Sequence, residues 1–180
     1  MGEYNIAPRI LPLKMLIVDI DGVLSDGKII YGTGELELKN FCVKDGLGLY
    51  FLTRSGMLQL AIITGKEGEI VKKRGEELGA SEIYTGYPEK MTAYDKILER
   101  YGLCDDEVAF IGDDIIDIPV MQRVGFAVAP KDAVLRTKKV AHYVTRSPAG
   151  RGAVREVAEL IFAIKRADFH GIELSNVKLG

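Results

Sequence analysis

Five aspartates in two short segments form the pattern in this sequence that is best suited to chemistry. Each segment follows directly on a short apolar run. The five residues are Asp19, Asp21, Asp113, Asp114 and Asp117. Carboxylates crowded at one place repel each other unless protons or cations compensate. Because oxygen ligands without nearby cysteine or histidine are typical of Mg²⁺ sites, the pattern predicts a magnesium site. A solvated turn at the first segment and helix caps at Asp114 and Asp117 remain alternatives.

Two further polar residues occupy comparable positions in the chain. Thr64 follows the apolar run 58–63, and Lys90 opens a segment with helical periodicity. Taken alone, each is typical of a helix cap or a solvated charge. Together with the two aspartate segments, however, they fall at or just beyond strand ends, as one site at a single edge of a parallel sheet requires.

Short apolar runs alternate with helical patterns along most of the chain. This alternation predicts an α/β fold, a doubly wound parallel sheet with helices on both faces. Apolar residues spaced i, i+3, i+4 and i+7 predict amphipathic helices over residues 94–101 and 154–164. The predicted strands cover residues 15–20, 58–63, 83–84, 108–111, 126–128 and 141–144.

Residues 27–43 interrupt this alternation. Two β-like segments flank Gly32-Thr33-Gly34, which predicts a protruding β-hairpin. An isolated hairpin is marginal in water, so its apolar face needs a cover. The length predicts one domain over residues 1–180, with a flexible C-terminal tail over about 168–180.

Composition excludes several classes of protein. Lys and Arg total 24 against 26 Asp and Glu, a net charge of −2 without a basic block, which argues against nucleic-acid binding. The apolar runs are far shorter than the roughly 20 residues of a membrane span. Cys42 and Cys104 are distant from each other and from any histidine at metal spacing, which argues against disulfides and zinc. Without a secretory signal pattern, we expect a cytoplasmic protein.

The order of these motifs resembles that of the haloacid dehalogenase superfamily of phosphatases. The resemblance extends over residues 14–164. Its four motifs correspond to residues 19–23, Thr64, Lys90 and residues 112–117. The resemblance implies that Asp19 is a nucleophile that forms an aspartyl-phosphate. It also implies that Asp21 protonates the leaving alcohol and then activates water, while Thr64 and Lys90 hold the phosphoryl oxygens.

The same resemblance implies a set of ligands for Mg²⁺. They are Asp19, the backbone carbonyl of Asp21, and Asp113. Asp114 and Asp117 are expected to lie behind these ligands and support them. An aspartate at position 21, where ATPases of the superfamily carry threonine, favours a phosphatase with rapid turnover of the phosphoenzyme.

Several stretches are more specifically similar to the capless 3-deoxy-D-manno-octulosonate 8-phosphate phosphatases. They include DIDGVLSDGKIIY, AIITGK and GDDIIDIPVM, and the motif spacing leaves no room for a cap domain. This similarity implies hydrolysis of that sugar-acid phosphate in lipopolysaccharide biosynthesis. It also implies a homotetramer in which hairpins from four chains meet and a neighbour's C-terminal tail helps to close each site.

A substrate with a carboxylate needs a cation in addition to those that bind phosphate. Arg74 is a candidate because it lies on the apolar stripe of its predicted helix, although an ion pair with Glu77 explains it equally well. Lys66, just beyond the Thr64 motif, and Arg151, between two glycines, are the other candidates.

Three alternatives stay open at this point. A nine-carbon sialic-type sugar-acid phosphate is the main rival substrate, because sugar length is not legible in the motifs. A phosphoacceptor receiver domain uses the same residue types, but there both acidic segments precede the threonine and lysine. A non-catalytic regulatory module would keep the fold without the chemistry.

Overall fold

The computed structural model describes residues 6–30 and 38–165. Their strands form one six-stranded sheet, and every pair of neighbours is parallel. The strands are β1 (Met15–Val18), β2 (Gln59–Ile63), β3 (Glu82–Tyr84), β4 (Val108–Ile111), β5 (Phe126–Ala129) and β6 (Tyr143–Val144). Their order in the sheet is β3-β2-β1-β4-β5-β6. The predicted doubly wound α/β fold is therefore confirmed.

Helices connect these strands and include both predicted amphipathic segments. The helices are α1 (Ala7–Ile10), α2 (Val43–Arg54), α3 (Glu69–Glu77), α4 (Lys90–Tyr101), α5 (Ile118–Met121), α6 (Leu135–Val140) and α7 (Ala153–Lys165). Helix α4 ends at Gly102, whose left-handed backbone (φ +61°) suits a residue without a side chain.

Two hydrophobic layers cover the two faces of the sheet. Successive side chains of a strand point to opposite faces. In β1, Leu16 and Val18 join the layer that includes apolar residues of α2, α3 and α7, whereas Met15 and Ile17 join the layer beneath α4 and α5. Because β1 is buried on both faces, its sequence is a continuous apolar run rather than an alternating one.

The strand order reverses on either side of β1, which lies between β2 and β4. Beyond the end of β1, the backbone N–H of Asp19 still donates to the carbonyl of Ile111 in β4 (3.1 Å). Connections that leave in opposite directions open a crevice at such a point, and open α/β sheets bind ligands there.

The segments between the motifs are short, as the motif spacing predicts. Between Thr64 and Lys90 the chain forms only α3 and β3, and between Asp19 and Thr64 the described residues form a turn, α2 and β2. Residues 31–37, at the centre of the predicted hairpin, lie outside the described residues, and its described flanks 27–30 and 38–42 are in neither strand nor helix. The predicted tail from about 168 to 180 also lies outside them.

Membrane-spanning helices were not expected from the sequence. Within the two described ranges, no helix combines the length and the apolar character that crossing a bilayer requires.

Candidate active site

A buried lysine forms the centre of the candidate site. Lys90, the first residue of α4, is 1% exposed. Its Nζ lies 2.7 Å from Oδ2 of Asp19 and 2.5 Å from Oδ1 of Asp117. Burial alone lowers the pKa of a lysine, but the charges of these two carboxylates outweigh it and raise the pKa of Lys90. Lys90 therefore stays charged in the interior.

Asp117 fixes the loop that follows β4. Its Oδ2 accepts hydrogen bonds from the backbone N–H groups of Asp113 (2.9 Å) and Asp114 (3.1 Å). A Cβ atom on Gly112 would lie 2.5 Å from Cγ of Asp117, so only glycine leaves room for this carboxylate. Asp114 is exposed and caps the short turn at Ile115 (2.6 Å), as its alternative interpretation predicted.

Asp113 projects from the same loop onto the segment after β1. A Cβ atom on Gly22 would lie 2.0 Å from Oδ2 of Asp113, and Gly22 adopts a left-handed backbone (φ +83°). Glycine is thus required at position 22 for two separate reasons. Burial, with the nearby charges of Asp19 and Asp117, raises the pKa of Asp113 from 3.8 to about 7.

Carboxylate oxygens of three aspartates lie within 4.8 Å of one another: Asp19, Asp113 and Asp117. The oxygens of Asp117 already bind Lys90 and two backbone N–H groups. Asp19 and Asp113 are therefore better suited to a metal ion. Burial raises the pKa of Asp19 despite the opposing effect of Lys90. Three carboxylates beside one ammonium leave surplus negative charge, which a hard divalent cation such as Mg²⁺ fits.

Asp21 points to different partners. Its Oδ1 accepts hydrogen bonds from Oγ of Ser25 (3.1 Å) and from Nζ of Lys39 (2.5 Å). No sequence pattern pointed to Lys39, which lies 18 residues from Asp21 in an irregular segment. Lys39 lies within the predicted hairpin segment, residues 27–43, outside the motif-like stretches.

Thr64 is buried at the end of β2, next to β1. The register pairs Val18 with Ile62, so Thr64 lies one residue beyond the level of Asp19. Its backbone N–H donates to the carbonyl of Tyr84 in β3 (2.9 Å). This pairing fixes Thr64 at the same edge of the sheet as the aspartates.

Arg74 makes the ion pair that the sequence left open as an alternative. Its Nη1 lies 3.0 Å from Oε2 of Glu77. Its guanidinium carbon also lies 5.5 Å from the ring centroid of Phe41. Gly46 of α2 provides the space for this guanidinium, because a Cβ atom there would lie 2.2 Å from Nη2.

Lys66 and Arg151 are both exposed at the carboxyl edge of the sheet. Arg151 lies 3.9 Å from the carboxylate of Asp26. The preceding Gly150 donates its backbone N–H to the carbonyl of Val23 (3.0 Å), which brings the Arg151 loop against the segment that carries Asp21.

Asp45 connects α2 to that loop, a structural role that no sequence pattern indicated. It is fully buried, and its carboxylate accepts the backbone N–H groups of Gly152 (3.0 Å) and Arg155 (2.7 Å). It therefore caps α7 from another helix. Burial raises the pKa of Asp45, against the effect of these hydrogen bonds.

A comparison with protein families agrees with this geometry. The model of the haloacid dehalogenase-like hydrolases matches residues 62–157, a range that includes Thr64, Lys90 and Asp113. The chain therefore has the fold of a haloacid dehalogenase-like hydrolase and belongs to that class.

Similar proteins define the group more narrowly. The 3-deoxy-D-manno-octulosonate 8-phosphate phosphatase of Yersinia pestis is 44% identical over 87% of this chain and 83% of its own. Its crystal structure superposes with a TM-score of 0.88 at 42% identity, covering 91% of this chain and 88% of that one. The structure of the Moraxella catarrhalis phosphatase, solved with magnesium, phosphate and KDO, superposes with a TM-score of 0.88 at 39% identity. The match covers 92% of this chain and 94% of that one. The chain belongs to this family of phosphatases.

Proposed function

We propose that the protein is a Mg²⁺-dependent phosphatase that hydrolyses 3-deoxy-D-manno-octulosonate 8-phosphate to the free sugar acid and phosphate. The observation that carries the proposal is the buried Lys90 held between Asp19 and Asp117, with Asp113 alongside. The activity of the similar Yersinia pestis protein supports the choice of substrate. The free sugar acid would then serve lipopolysaccharide biosynthesis.

The reaction proceeds in two displacements at phosphorus. A carboxylate oxygen of Asp19 forms a bond to phosphorus while the bond from phosphorus to the sugar oxygen breaks, and Asp21 gives that oxygen a proton. Water then forms a bond to phosphorus while the bond from phosphorus to the Asp19 oxygen breaks; Asp21 accepts a proton from this water, and phosphate is released. Lys90 and the hydroxyl of Thr64 bind the phosphoryl oxygens and stabilise their charge.

Asp19, the backbone carbonyl of Asp21, and Asp113 would hold Mg²⁺. The bound ion supplies positive charge that offsets the repulsion between an anionic nucleophile and an anionic phosphate. Asp117 keeps Lys90 and the Asp113 loop in place, and Asp114 caps the turn behind it.

The carboxylate of the substrate is assigned to cations at the mouth of the site. Lys66 and Arg151 are exposed there. The third candidate is Arg74, whose guanidinium packs against Gly46 of α2. Substitution of each by Ala should raise KM for the sugar-acid phosphate more than it lowers kcat. An unchanged KM would remove that residue from the substrate site.

Phosphate release from a panel of sugar phosphates, with and without Mg²⁺, tests the function. We expect Mg²⁺-dependent release with preference for the eight-carbon sugar-acid phosphate, and loss of release in Asp19→Asn. Asp95→Asn is a matched control, because Asp95 is an exposed carboxylate paired with Arg123. A preference for a nine-carbon substrate would change the proposed sugar but leave the protein a phosphatase of sugar-acid phosphates. Activity in Asp19→Asn would contradict the proposed role of Asp19 as nucleophile.

We also propose that the protein assembles as a homotetramer in the cytoplasm. Four apolar side chains on either side of residues 31–37 are exposed and would gain from a cover. They are Ile29, Ile30, Leu38 and Val43. Cys42 and Cys104 are free thiols, which suits a reducing compartment. Cell fractionation tests the location.

A further inference from the structure

The carboxylate of Asp21 is held at one of its two oxygens. Both Ser25 and Lys39 donate to Oδ1, at 3.1 and 2.5 Å. The side chain of Asp21 is 36% exposed, whereas that of Lys39 is only 6% exposed. Asp21 therefore faces the solvent of the crevice while its partner lies beneath the surface.

The position of Lys39 differs from that of an ordinary surface lysine. Burying an ammonium costs several kcal/mol unless a carboxylate compensates, and Asp21 is the carboxylate in contact with Lys39 among the described residues. Lys28, in the same segment, is 67% exposed and pairs with Asp26 (2.8 Å) instead. The burial of Lys39 is therefore linked to its contact with Asp21.

We propose that Lys39 is a positioning residue for proton transfer. It holds Oδ1 of Asp21 so that Oδ2 faces the oxygen of the leaving group. The inference rests on the proposed function, in which Asp21 gives a proton to the alcohol as the bond between phosphorus and that oxygen breaks.

The physical reason is orientation. A carboxylate can rotate about its terminal bond, and one neutral hydrogen bond from Ser25 restrains it weakly. A charge-assisted hydrogen bond is roughly twice as strong as a neutral one and therefore narrows this rotation. Loss of the restraint reduces the fraction of bound substrate that is aligned for transfer, which lowers kcat and leaves KM nearly unchanged.

The need for a proton depends on the leaving group. A sugar alkoxide is a strong base and must be protonated as it leaves, whereas nitrophenolate leaves readily without a proton. A substitution that acts through Asp21 should therefore reduce the rate of the first displacement strongly for an alkyl phosphate and only slightly for p-nitrophenyl phosphate. The first displacement must be observed by itself for this comparison. Water attack on the phosphoenzyme is common to both substrates.

The test compares Lys39→Met, which keeps the length of the stem, with Lys39→Arg and with Lys28→Met as a control for charge. First-turnover rates are measured with the eight-carbon sugar-acid phosphate and with p-nitrophenyl phosphate at saturating Mg²⁺. For Lys39→Met we expect a loss of about 10²-fold with the sugar phosphate and less than about threefold with p-nitrophenyl phosphate. Lys39→Arg should recover most of the rate, and Lys28→Met should match the wild type.

Three results would overturn the inference. Equal losses with both substrates would show a general structural role, and a rise in KM alone would show that Lys39 binds substrate. Full activity in Lys39→Met would show that the contact has no part in the reaction. Thermal unfolding checks that Lys39→Met is folded. If it is not folded, Lys39→Gln is used in its place. Failure of the proposed function is distinguishable, because the wild type would then release no phosphate.

Discussion

Lys90 is the residue on which the arrangement of the site depends most. It is a buried cation that contacts Asp19 directly and positions the Asp113 loop through Asp117. Removing one member of a buried ion pair leaves an uncompensated charge, which typically costs about 3–5 kcal/mol. A neutral residue at position 90 would therefore destabilise the fold and, in the proposed function, would also remove the cation that binds the phosphoryl oxygens.

Gly22 provides the first prediction at the scale of single residues. Gly22→Ala would place a methyl group 2.0 Å from the present position of Asp113 Oδ2 in addition to straining a left-handed backbone. We expect at least a tenfold weaker Mg²⁺ affinity, about 1.4 kcal/mol, measured by titration calorimetry. Gly56→Ala is the matched control, because Gly56 has a similar φ of +67° and nothing within 4 Å of its added Cβ. An equal loss in both variants would contradict the contact with Asp113.

The pKa values of Asp19 and Asp113 predict how Mg²⁺ stabilisation depends on pH. Without metal, burial raises both pKa values above those of the unfolded chain, for Asp113 from 3.8 to about 7. Their contribution to stability is therefore present at low pH and lost as pH rises through this range. Since Mg²⁺ binds the deprotonated carboxylates, it should raise Tm more at about pH 7.5 than at about pH 5.5.

Thermal unfolding with and without Mg²⁺ at the two pH values measures this difference. Asp113→Asn should remove most of it, because one of the two ligands no longer titrates. A Tm increase that is the same at both pH values would contradict the assignment of these carboxylates to the metal.

At the scale of elements, strands with continuous apolar runs were the most predictable. The predictions for 108–111 and 126–128 agree with β4 and β5 to within one residue. Strand β6 was predicted at 141–144 but contains only Tyr143–Val144, since it lies at the edge of the sheet and pairs with β5 alone. The ends of a buried strand can be predicted from its apolar composition, whereas the length of an edge strand depends on pairing with its single neighbour.

Contacts between distant elements could not be predicted in the same way. Lys39 reaches Asp21 across an irregular segment, and Asp45 caps a helix more than a hundred residues later. Neither contact follows from a local period, because each depends on how two segments pack in space. The aspartates of the candidate metal site were found because their segments follow strands directly, whereas the role of Asp19 as nucleophile was implied by the family resemblance.

Asp45 supplies the prediction for the elements. Asp45→Ala leaves two backbone N–H groups at the start of α7 without their buried acceptor, and should lower the free energy of unfolding by about 1–3 kcal/mol. Because the Gly150 loop then loosens against Val23, kcat should also fall. Urea unfolding and phosphate release measure the two effects. Glu159→Ala removes an exposed pair on the same helix and should change stability by only about 0.5 kcal/mol.

At the scale of the whole molecule, the exposed apolar residues next to 31–37 predict how the chain assembles. The double substitution Ile29→Asp and Ile30→Asp puts charge into the proposed interface and should shift the mass in solution from tetramer to smaller species. Light scattering after size exclusion measures this mass. Leu11→Asp is the control, since Leu11 is also exposed but lies before β1, at the opposite edge of the sheet. A wild-type monomer would contradict the assembly.

The central position of β1 also has a consequence for biosynthesis. On one side β1 pairs with β2, but on the other it pairs with β4, which is translated some ninety residues later. A nascent chain that ends before Val108 therefore exposes an apolar strand edge, which favours aggregation. Asp19, the proposed nucleophile, is synthesised early, but the loop after β4 that carries Asp113 and Asp117 is synthesised some ninety residues later. Ribosome-bound chains should thus need protection by a chaperone until β4 has been synthesised, and become active only after that.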